Sequence, residues 1–128
     1  MFDGLLFFNF KEGTVLIMVK KEIISKNRDF RRVYGKGKYF SSPILITYIV
    51  KNRLNSTRVG ITASKKTGNA VKRNRSRRII REAFRILKSK VKSGFDIIFV
   101  ARAKTNEVKT GDVLKDMERE LFKLGVLK

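Results

Sequence analysis

The spacing of hydrophobic residues along the chain predicts three helices and four strands. Apolar residues that recur with the 3.6-residue period of a helix define the helices. β-Branched, alternating or continuous apolar runs define the strands. The predicted helices are residues 26–36, 70–91 and 110–124, and the predicted strands are residues 38–40, 43–50, 58–64 and 95–101. The strand at 95–101 is nearly continuously apolar, so we expect it to be buried on both faces.

The longest predicted helix changes character along its length. From Ile79 onward its apolar residues form a broad arc that we expect to pack on a sheet. These residues are Ile79, Ile80, Ala83, Phe84, Ile86, Leu87 and Val91. Before Ile79 the lysines and arginines point in all directions, so we expect the first two turns to project beyond the core.

The shorter first helix, residues 26–36, places Phe30, Val33 and Tyr34 on one face, at i, i+3 and i+4. Asn27 is a candidate N-cap, and the glycines at 35 and 37 are expected to end the helix.

Residues 1–17 differ from the rest of the chain, because they are largely apolar and contain a single basic residue, Lys11. Three interpretations compete. The segment is a disordered or loosely docked extension, an additional amphipathic element, or the product of translation begun upstream of a natural start at Met18. The family resemblance described below favours the last, and we expect residues 18–128 to form a single domain.

The charge of the chain is strongly one-sided. Its 128 residues contain 31 Lys and Arg against 11 Asp and Glu, a net charge of +20 and a pI of about 10.8. This balance favours a nucleic acid as partner, with an anionic membrane surface as second choice. The apolar run at residues 5–8 is too short to span a bilayer and lacks the features of a secretory signal.

The residue types that are missing limit the chemistry. The chain has no cysteine and no histidine, so it can build neither a disulfide nor a Ser-His or Cys-His nucleophile. The densest acidic group is Asp112, Asp116, Glu118 and Glu120, which we interpret as the solvated face of the last helix. We therefore expect no catalytic residue and no metal site in the protein itself.

The basic stretch at residues 64–85 holds nine Lys or Arg against one acid, Glu82. Glu82 follows Arg78 by four residues, and this spacing predicts an intrahelical ion pair. So many like charges in a folded helix indicate contact with a polyanion, and the preference for arginine suits phosphate. The turn before the helix also points backbone N–H groups and a positive helix end at an anion.

RNA fits this stretch better than DNA. Arginines surround the helix start and do not line one face, which suits readout of the backbone and shape of a folded RNA. Phe30, Tyr34 and Tyr48 are candidates for stacking on single-stranded bases. Core packing is the alternative for all three, with equal weight for Phe30 and less for the two tyrosines.

The segment RVGITASKKTGNAVKRNRSRRIIREAFR, residues 58–85, closely resembles the protein subunit of bacterial ribonuclease P. The signature of that family is a basic Arg-Asn-Arg helix after Ser-Lys-Lys-x-Gly-Asn-Ala-Val, and Arg73, Asn74 and Arg75 match its centre. The resemblance extends over residues 20–128 and does not cover residues 1–17. Arg77 departs from the pattern, because lysine is common there, but the charge is kept.

The resemblance implies a fold, a site and a function. The fold is α+β, a small two-layer α/β sandwich of order αβββαβα with a left-handed βαβ crossover. The implied precursor-tRNA leader cleft contains Phe30, Tyr34 and Tyr48. The implied RNA-binding residues on and before the basic helix are Lys65, Lys66, Lys72, Arg73, Asn74, Arg75, Arg77, Arg78 and Arg81.

The implied function is that of an accessory subunit of an endoribonuclease. A catalytic RNA subunit, with Mg²⁺, would remove the 5′ leader of precursor tRNA, while the protein binds that RNA and the leader. The resemblance also implies one protein per RNA, a cytoplasmic location and no membrane partner; it leaves dimerisation open. The main alternative is a structural ribosomal protein, and a membrane-active protein is a third class that the buried strand at 95–101 disfavours.

Overall fold

The computed structural model describes residues 22–128 and contains the predicted elements in the predicted order. The expectations for residues 1–17 fall outside the described residues. The helices are α1 (Asn27–Lys36), α2 (Ala70–Leu87) and α3 (Thr110–Lys123), and the strands are β1 (Lys38–Ser41), β2 (Leu45–Lys51), β3 (Arg58–Ala63) and β4 (Phe95–Ala101). Short 3-10 turns precede α2, follow it, and lie between β4 and α3.

The four strands form one mixed sheet in the order β1-β2-β4-β3. The pairs β1–β2 and β2–β4 are antiparallel, and β3 runs parallel to β4. Helix α2 connects these two parallel neighbours. The register aligns Tyr48 with Ile98 and Ile98 with Gly60, so these three residues form one row across the sheet.

The main hydrophobic core lies between one face of the sheet and helices α2 and α3. Strand β2 alternates, with Leu45, Thr47 and Ile49 buried on this face. Strand β4 contributes Ile97 and Phe99, both fully buried. Because β4 is central and covered on both sides, its burial is nearly continuous, as its composition predicts.

Helix α1 packs across the opposite face of the sheet. Val33 is fully buried there with Ile98 and Ile24, which form a second, smaller cluster. Because α1 is a single short helix, it covers only part of this face. Ile46 and Val100, on the same face, remain half-buried, and the uncovered strip beside α1 forms an open groove.

Two expectations for α2 are wrong. Ile86 is 46% exposed, because α3 and the sheet together cover a narrower arc of the helix than the sequence pattern suggests. The first two turns do not project beyond the core, since Ser76 is fully buried and Asn106 donates a hydrogen bond to the backbone carbonyl of Lys72 at 3.0 Å. The turn between β4 and α3 thus supports the basic end of the helix.

The ends of α1 also differ from the prediction. The N-cap residue is Lys26, which makes no side-chain capping bond, and Asn27 is the first helical residue. Gly35 lies inside the helix, which ends at Gly37. An added Cβ at Gly37 would lie 2.5 Å from the backbone oxygen of Val33, so glycine permits the tight passage into β1.

The prediction that the acids of α3 form a solvated face is wrong for Asp116 and Glu120. Glu120 is fully buried, and its carboxylate accepts a hydrogen bond from the Thr47 hydroxyl. Asp116 is 6% exposed and accepts bonds from the Ser42 hydroxyl and the Arg119 guanidinium. The two acids thus connect α3 to the start of β2.

Burial has a large effect on Glu120. Removal from water disfavours the carboxylate and, with the nearby charge of Asp116, raises the pKa of Glu120 to about 8, although the Thr47 bond opposes the shift. One of its oxygens, Oε2, has no hydrogen-bond partner among the described residues. Glu120 is therefore protonated in the folded protein at neutral pH.

We expect replacement of Glu120 by Gln to remove a pH dependence of stability. In the wild type the folded state keeps a proton that the unfolded state releases above about pH 4.5. The contribution of this group is fully present below that pH and is lost as the pH rises to about 8, at up to about 1.4 kcal/mol per pH unit. In urea unfolding experiments between pH 4 and 9, the stability of Glu120→Gln relative to wild type should increase as the pH rises. That of Glu118→Gln, at an exposed site, should not, and parallel profiles for all three proteins would contradict the assignment.

Candidate nucleic-acid interface

The turn between β3 and α2 fixes the start of the basic helix. Its backbone is held by two side-chain acceptors: Ser64 Oγ accepts from the Lys66 N–H at 3.3 Å, and Asn69 Oδ1 accepts from the Lys72 N–H at 2.9 Å. Gly68 has φ +134°, a conformation that L side chains rarely adopt. Asn69 is therefore the N-cap of α2, and the turn presents Lys65 and Lys66 to solvent.

Two of the basic-helix residues have a structural bond within their own segment. Arg73 is half-buried, and its Nη1 donates to the Gly68 carbonyl at 2.8 Å. Arg77 Nη1 donates to Asn74 Oδ1 at 2.9 Å. These bonds hold the guanidinium groups near the helix start, and they leave other donors of each fork for a ligand.

The remaining predicted residues lie along the same helix and turn. Lys65, Lys66, Lys72, Asn74, Arg75 and Arg78 are exposed, while Arg77 and Arg81 are half-buried. The single acid of the stretch, Glu82, accepts from Arg85 Nε at 3.0 Å, an intrahelical ion pair three residues apart. The turn and helix therefore present a continuous cationic surface.

The aromatic residues predicted for the cleft do meet, between α1 and the sheet. The ring centroids of Phe30 and Tyr34 are 6.2 Å apart, and those of Tyr34 and Tyr48 are 4.9 Å apart in an edge-on arrangement. Tyr34 is 41% exposed, while Phe30 and Tyr48 are half-buried. The cluster combines packing with exposed ring edges, and the stacking of bases on these rings stays a prediction.

A fourth ring, Tyr39, extends the cluster along β1 and is absent from the sequence prediction. It pairs with Tyr48 in the β1–β2 register, at 5.4 Å between centroids, and is 63% exposed. The sequence holds no local signal for this, because Tyr39 joins the cluster through the β1–β2 pairing, which places residues directly opposite each other on the same face.

Gly60 sets the depth at which the Phe30 ring lies. A Cβ at this position would be 3.0 Å from Phe30 Cζ and 3.3 Å from the Ile24 side chain. The absence of a side chain lets the ring rest directly on β3, which leaves its neighbour Tyr34 at the rim of the groove.

The open groove joins the aromatic cluster to the basic turn. Beyond the rings, the half-buried Ile46 and Val100 line a cavity of about 590 Å³. Lys66, Arg102 and Lys104 lie around the same cavity. One path therefore leads from the aromatic cluster, across an apolar floor, to the cations at the start of α2.

A buried carboxylate holds α1 on the sheet. Asp96 of β4 is fully buried and accepts from Arg58 on β3 at 2.7 and 2.9 Å, from Asn52 at 2.8 Å, and from Arg32 on α1. Burial by itself would raise the pKa of Asp96, but the bonds from Arg58, Asn52 and Arg32 outweigh it and lower the pKa below its ordinary value. The same contacts raise the pKa of Arg58. Asp96 is therefore ionised and connects three elements.

Residues 22–128 contain no group of three or more Asp, Glu, His or Cys side chains arranged to bind a metal ion. In the same part of the chain, no helix combines the length and apolar character that a membrane span requires.

Comparison with known proteins identifies the family. The family model for ribonuclease P matches residues 18–125. The chain is 40% identical over 109 residues to the ribonuclease P protein component of Clostridium botulinum, covering 84% of this chain and 98% of the relative. The chain belongs to the ribonuclease P protein family.

Solved structures agree with this assignment. The ribonuclease P protein of Staphylococcus aureus superposes with a TM-score of 0.75 at 36% identity, covering 84% of this chain and 98% of that one. The protein from Thermotoga maritima gives a TM-score of 0.69 at 30% identity, covering 77% and 93% of the two chains. The family resemblance and the α+β fold predicted from the sequence are thus confirmed.

In this ribonuclease P protein, we expect Asp96→Asn to lower the free energy of unfolding by about 2–4 kcal/mol, because it leaves Arg32 and Arg58 without their buried partner. The pKa of Asp96 is lowered by folding, so its contribution is present at neutral pH and is lost as the pH falls below about 4. The gap between wild type and variant should close there.

Denaturant unfolding at several pH values measures this, with Glu118→Gln as the control. Glu118 pairs with Lys90 at 3.9 Å on the surface, so its loss should cost under about 1 kcal/mol. Equal effects of the two substitutions would show that the Asp96 contacts do not hold α1 in place.

Proposed function

We propose that this protein is the accessory subunit of a ribonuclease P holoenzyme that removes the 5′ leader of precursor tRNA. In this proposal it binds a catalytic RNA subunit through α2 and its preceding turn. It binds the single-stranded leader in the groove beside α1. One protein acts with one RNA, and the hydrolysis of the phosphodiester bond takes place on the RNA subunit.

The continuity of the groove with the basic turn carries the proposal. Exposed edges of Tyr34 and Tyr39 suit unstacked bases, whose faces bind aromatic rings without sequence preference. The adjoining Lys66 and Arg102 suit the phosphates of the same strand. A precursor tRNA has these two parts in sequence, a single-stranded leader followed by a folded body.

The charge of the surface gives the protein its role in the reaction. Where two RNAs approach each other their phosphates repel, and cations between them lower that repulsion. The groove and α2 present mainly lysines and arginines, which repel a divalent cation; the acids there are Glu107 on the cavity lining and Glu82, which pairs with Arg85. We therefore assign Mg²⁺ to the RNA subunit, and the protein reduces the concentration of Mg²⁺ that the RNA needs.

We expect the protein to stimulate cleavage strongly at low Mg²⁺. The test is cleavage of a precursor tRNA by a bacterial ribonuclease P RNA, with and without the full-length protein, with the product mapped to the mature 5′ end. Tight RNA binding without stimulation would contradict the proposal and favour a structural ribosomal role.

We expect the groove beside α1 with its aromatic cluster, the aromatic groove, to give the protein a higher affinity for precursor tRNA than for mature tRNA. Tyr34→Ala should weaken binding of precursor tRNA by about 1–3 kcal/mol for each lost stacked base, and should leave mature tRNA nearly unaffected. Phe30→Ala should act similarly once its folding is verified, because that ring also packs on Gly60.

The matched control is Arg75→Gln, which removes an exposed cation of α2. With enough protein to saturate the RNA subunit, this variant should leave the ratio of precursor to mature tRNA affinity unchanged, since Arg75 lies on the surface assigned to the RNA subunit and not in the groove. Equilibrium binding to labelled precursor and mature tRNA in the presence of the RNA subunit measures the ratio. If Tyr34→Ala weakens both tRNAs equally, the groove does not hold the leader.

A further inference from the structure

A second large cavity lies on the opposite flank of α1 from the aromatic groove. It has a volume of about 690 Å³ and shares no lining residue with the groove cavity or the aromatic cluster. On α1, Val33 faces the sheet, Phe30 and Tyr34 lie on one side of it, and Arg32 and Lys36 lie on the other. We name this cavity the posterior pocket.

The sheet register explains why the two sites are separate. Tyr48, Ile98 and Gly60 form the row beneath α1, and Val50, Asp96 and Arg58 form the next row, two residues along each strand. Helix α1 crosses above the first row and divides the face. The aromatic groove lies beyond one side of the helix, and the posterior pocket lies over the row that contains Asp96.

The posterior pocket is lined by an unusual number of cations. Helix α1 contributes Arg28, Arg32 and Lys36, which follow one another at four-residue spacing. The facing elements and the helix cap contribute Lys26, Lys51, Arg53 and Arg58. The single carboxylate on the lining is Asp29, and Asp96 lies buried below.

Most of these cations have no ion-pair partner among residues 22–128. Asp96 and Asp29 pair with Arg32 and Arg58 only. The other five side chains are exposed and make no ion pair or side-chain hydrogen bond within residues 22–128; they are Lys26, Arg28, Lys36, Lys51 and Arg53. Five unpaired cations around one cavity repel each other, and an external anion would relieve that repulsion.

The arrangement fits a chain of phosphates. Arg28, Arg32 and Lys36 form a row along α1 with a step of about 6 Å, given a helical rise of 1.5 Å per residue. That step is comparable to the distance between consecutive phosphates of a nucleic-acid strand. The lining contains no aromatic ring on which a base could stack, and its apolar part is aliphatic. Contact with the backbone, without sequence preference, is what these residues offer.

We propose that the posterior pocket binds the phosphate backbone of an RNA segment other than the leader. The inference rests on the proposed function in taking RNA as the polyanion. With the leader on one flank of α1 and an RNA backbone on the other, the helix would lie between two RNA strands. Arg32 and Arg58 are positioning residues in this account. Their bonds to Asp96 hold α1 on the sheet, and Arg28 and Lys36 of that helix then lie along the pocket.

The test is the salt dependence of binding between the full-length protein and labelled bacterial ribonuclease P RNA. The pocket variant is Arg28→Gln with Lys36→Gln and Arg53→Gln. The control variant, Lys115→Gln with Lys123→Gln and Lys128→Gln, loses the same charge at exposed positions outside both cavities. All six positions are exposed, so equal melting temperatures are expected and are checked first.

We expect the pocket variant to flatten the slope of log affinity against log salt by about 2–3, and to bind about a hundredfold more weakly than wild type at 0.1 M salt. The preference for precursor over mature tRNA should be unchanged, because the aromatic groove is intact. If the pocket variant matches the control in slope and affinity, the proposal is wrong.

Two further titrations distinguish RNA from other anions that the pocket could bind. Calorimetric titration with pyrophosphate tests for a free small anion, and titration with polyglutamate tests for an acidic protein. If the pocket variant loses either interaction while it keeps wild-type affinity and salt slope for RNA, the RNA proposal is overturned.

The cleavage assay separates this inference from the proposed function. If wild type stimulates cleavage and the pocket variant binds RNA like the control, the posterior pocket alone is rejected. If wild type gives no stimulation, the proposed function is rejected, while the difference in salt slope between the two variants still decides whether the pocket binds RNA.

Discussion

The ion cluster around Asp96 is the constraint on which the rest of this structure depends. A fully buried carboxylate in the central strand would be costly alone, and here it accepts bonds from Arg58, Asn52 and Arg32. Because Arg32 belongs to α1 and Arg58 to β3, the cluster sets where the helix crosses the sheet. That crossing creates both the aromatic groove and the posterior pocket.

The protein also has to fold while carrying a net charge of +20. Among residues 22–128, several acids have structural tasks, while most of the cations lie at the surface. Asp96 and Asp29 fix arginines beneath α1, and Asp116 and Glu120 connect α3 to the sheet. Few carboxylates remain on the basic helix, the groove and the posterior pocket, so those surfaces are strongly positive, and a polyanion would offset their repulsion.

Local periodicity was sufficient to predict the three helices and strands β2, β3 and β4, because each of these elements buries residues on one face of its own sequence. The family resemblance, and not periodicity, supplied the signature around Arg73 and grouped Phe30, Tyr34 and Tyr48, whose proximity the structure shows. Periodicity failed for Glu120, since the burial of this acid depends on Thr47, a residue 73 positions away in the sequence. The same reason applies to Asp96, which the sequence shows only as a polar residue within an apolar strand.

The width of a buried helix face is a tertiary property as well. Ile86 lies at the edge of the apolar arc of α2 and is exposed, while Ser76, a polar residue in line with Ile79, Ile80 and Ala83, is fully buried. Both depend on where α3 and the turn before it lie against α2. Tyr39 likewise enters the aromatic cluster through strand pairing, which the sequence of β1 alone does not specify.

The central claim is that the groove beside α1 holds the leader. Photo-crosslinking tests it most directly, with precursor tRNA that carries a photoreactive nucleotide in the leader, assembled with the RNA subunit and this protein. Mass spectrometry of the crosslinked peptide should place the attachment on α1, β1 or β2, at or next to Tyr34, Tyr39 or Tyr48. Crosslinks confined to α2 or to the posterior pocket would contradict the account.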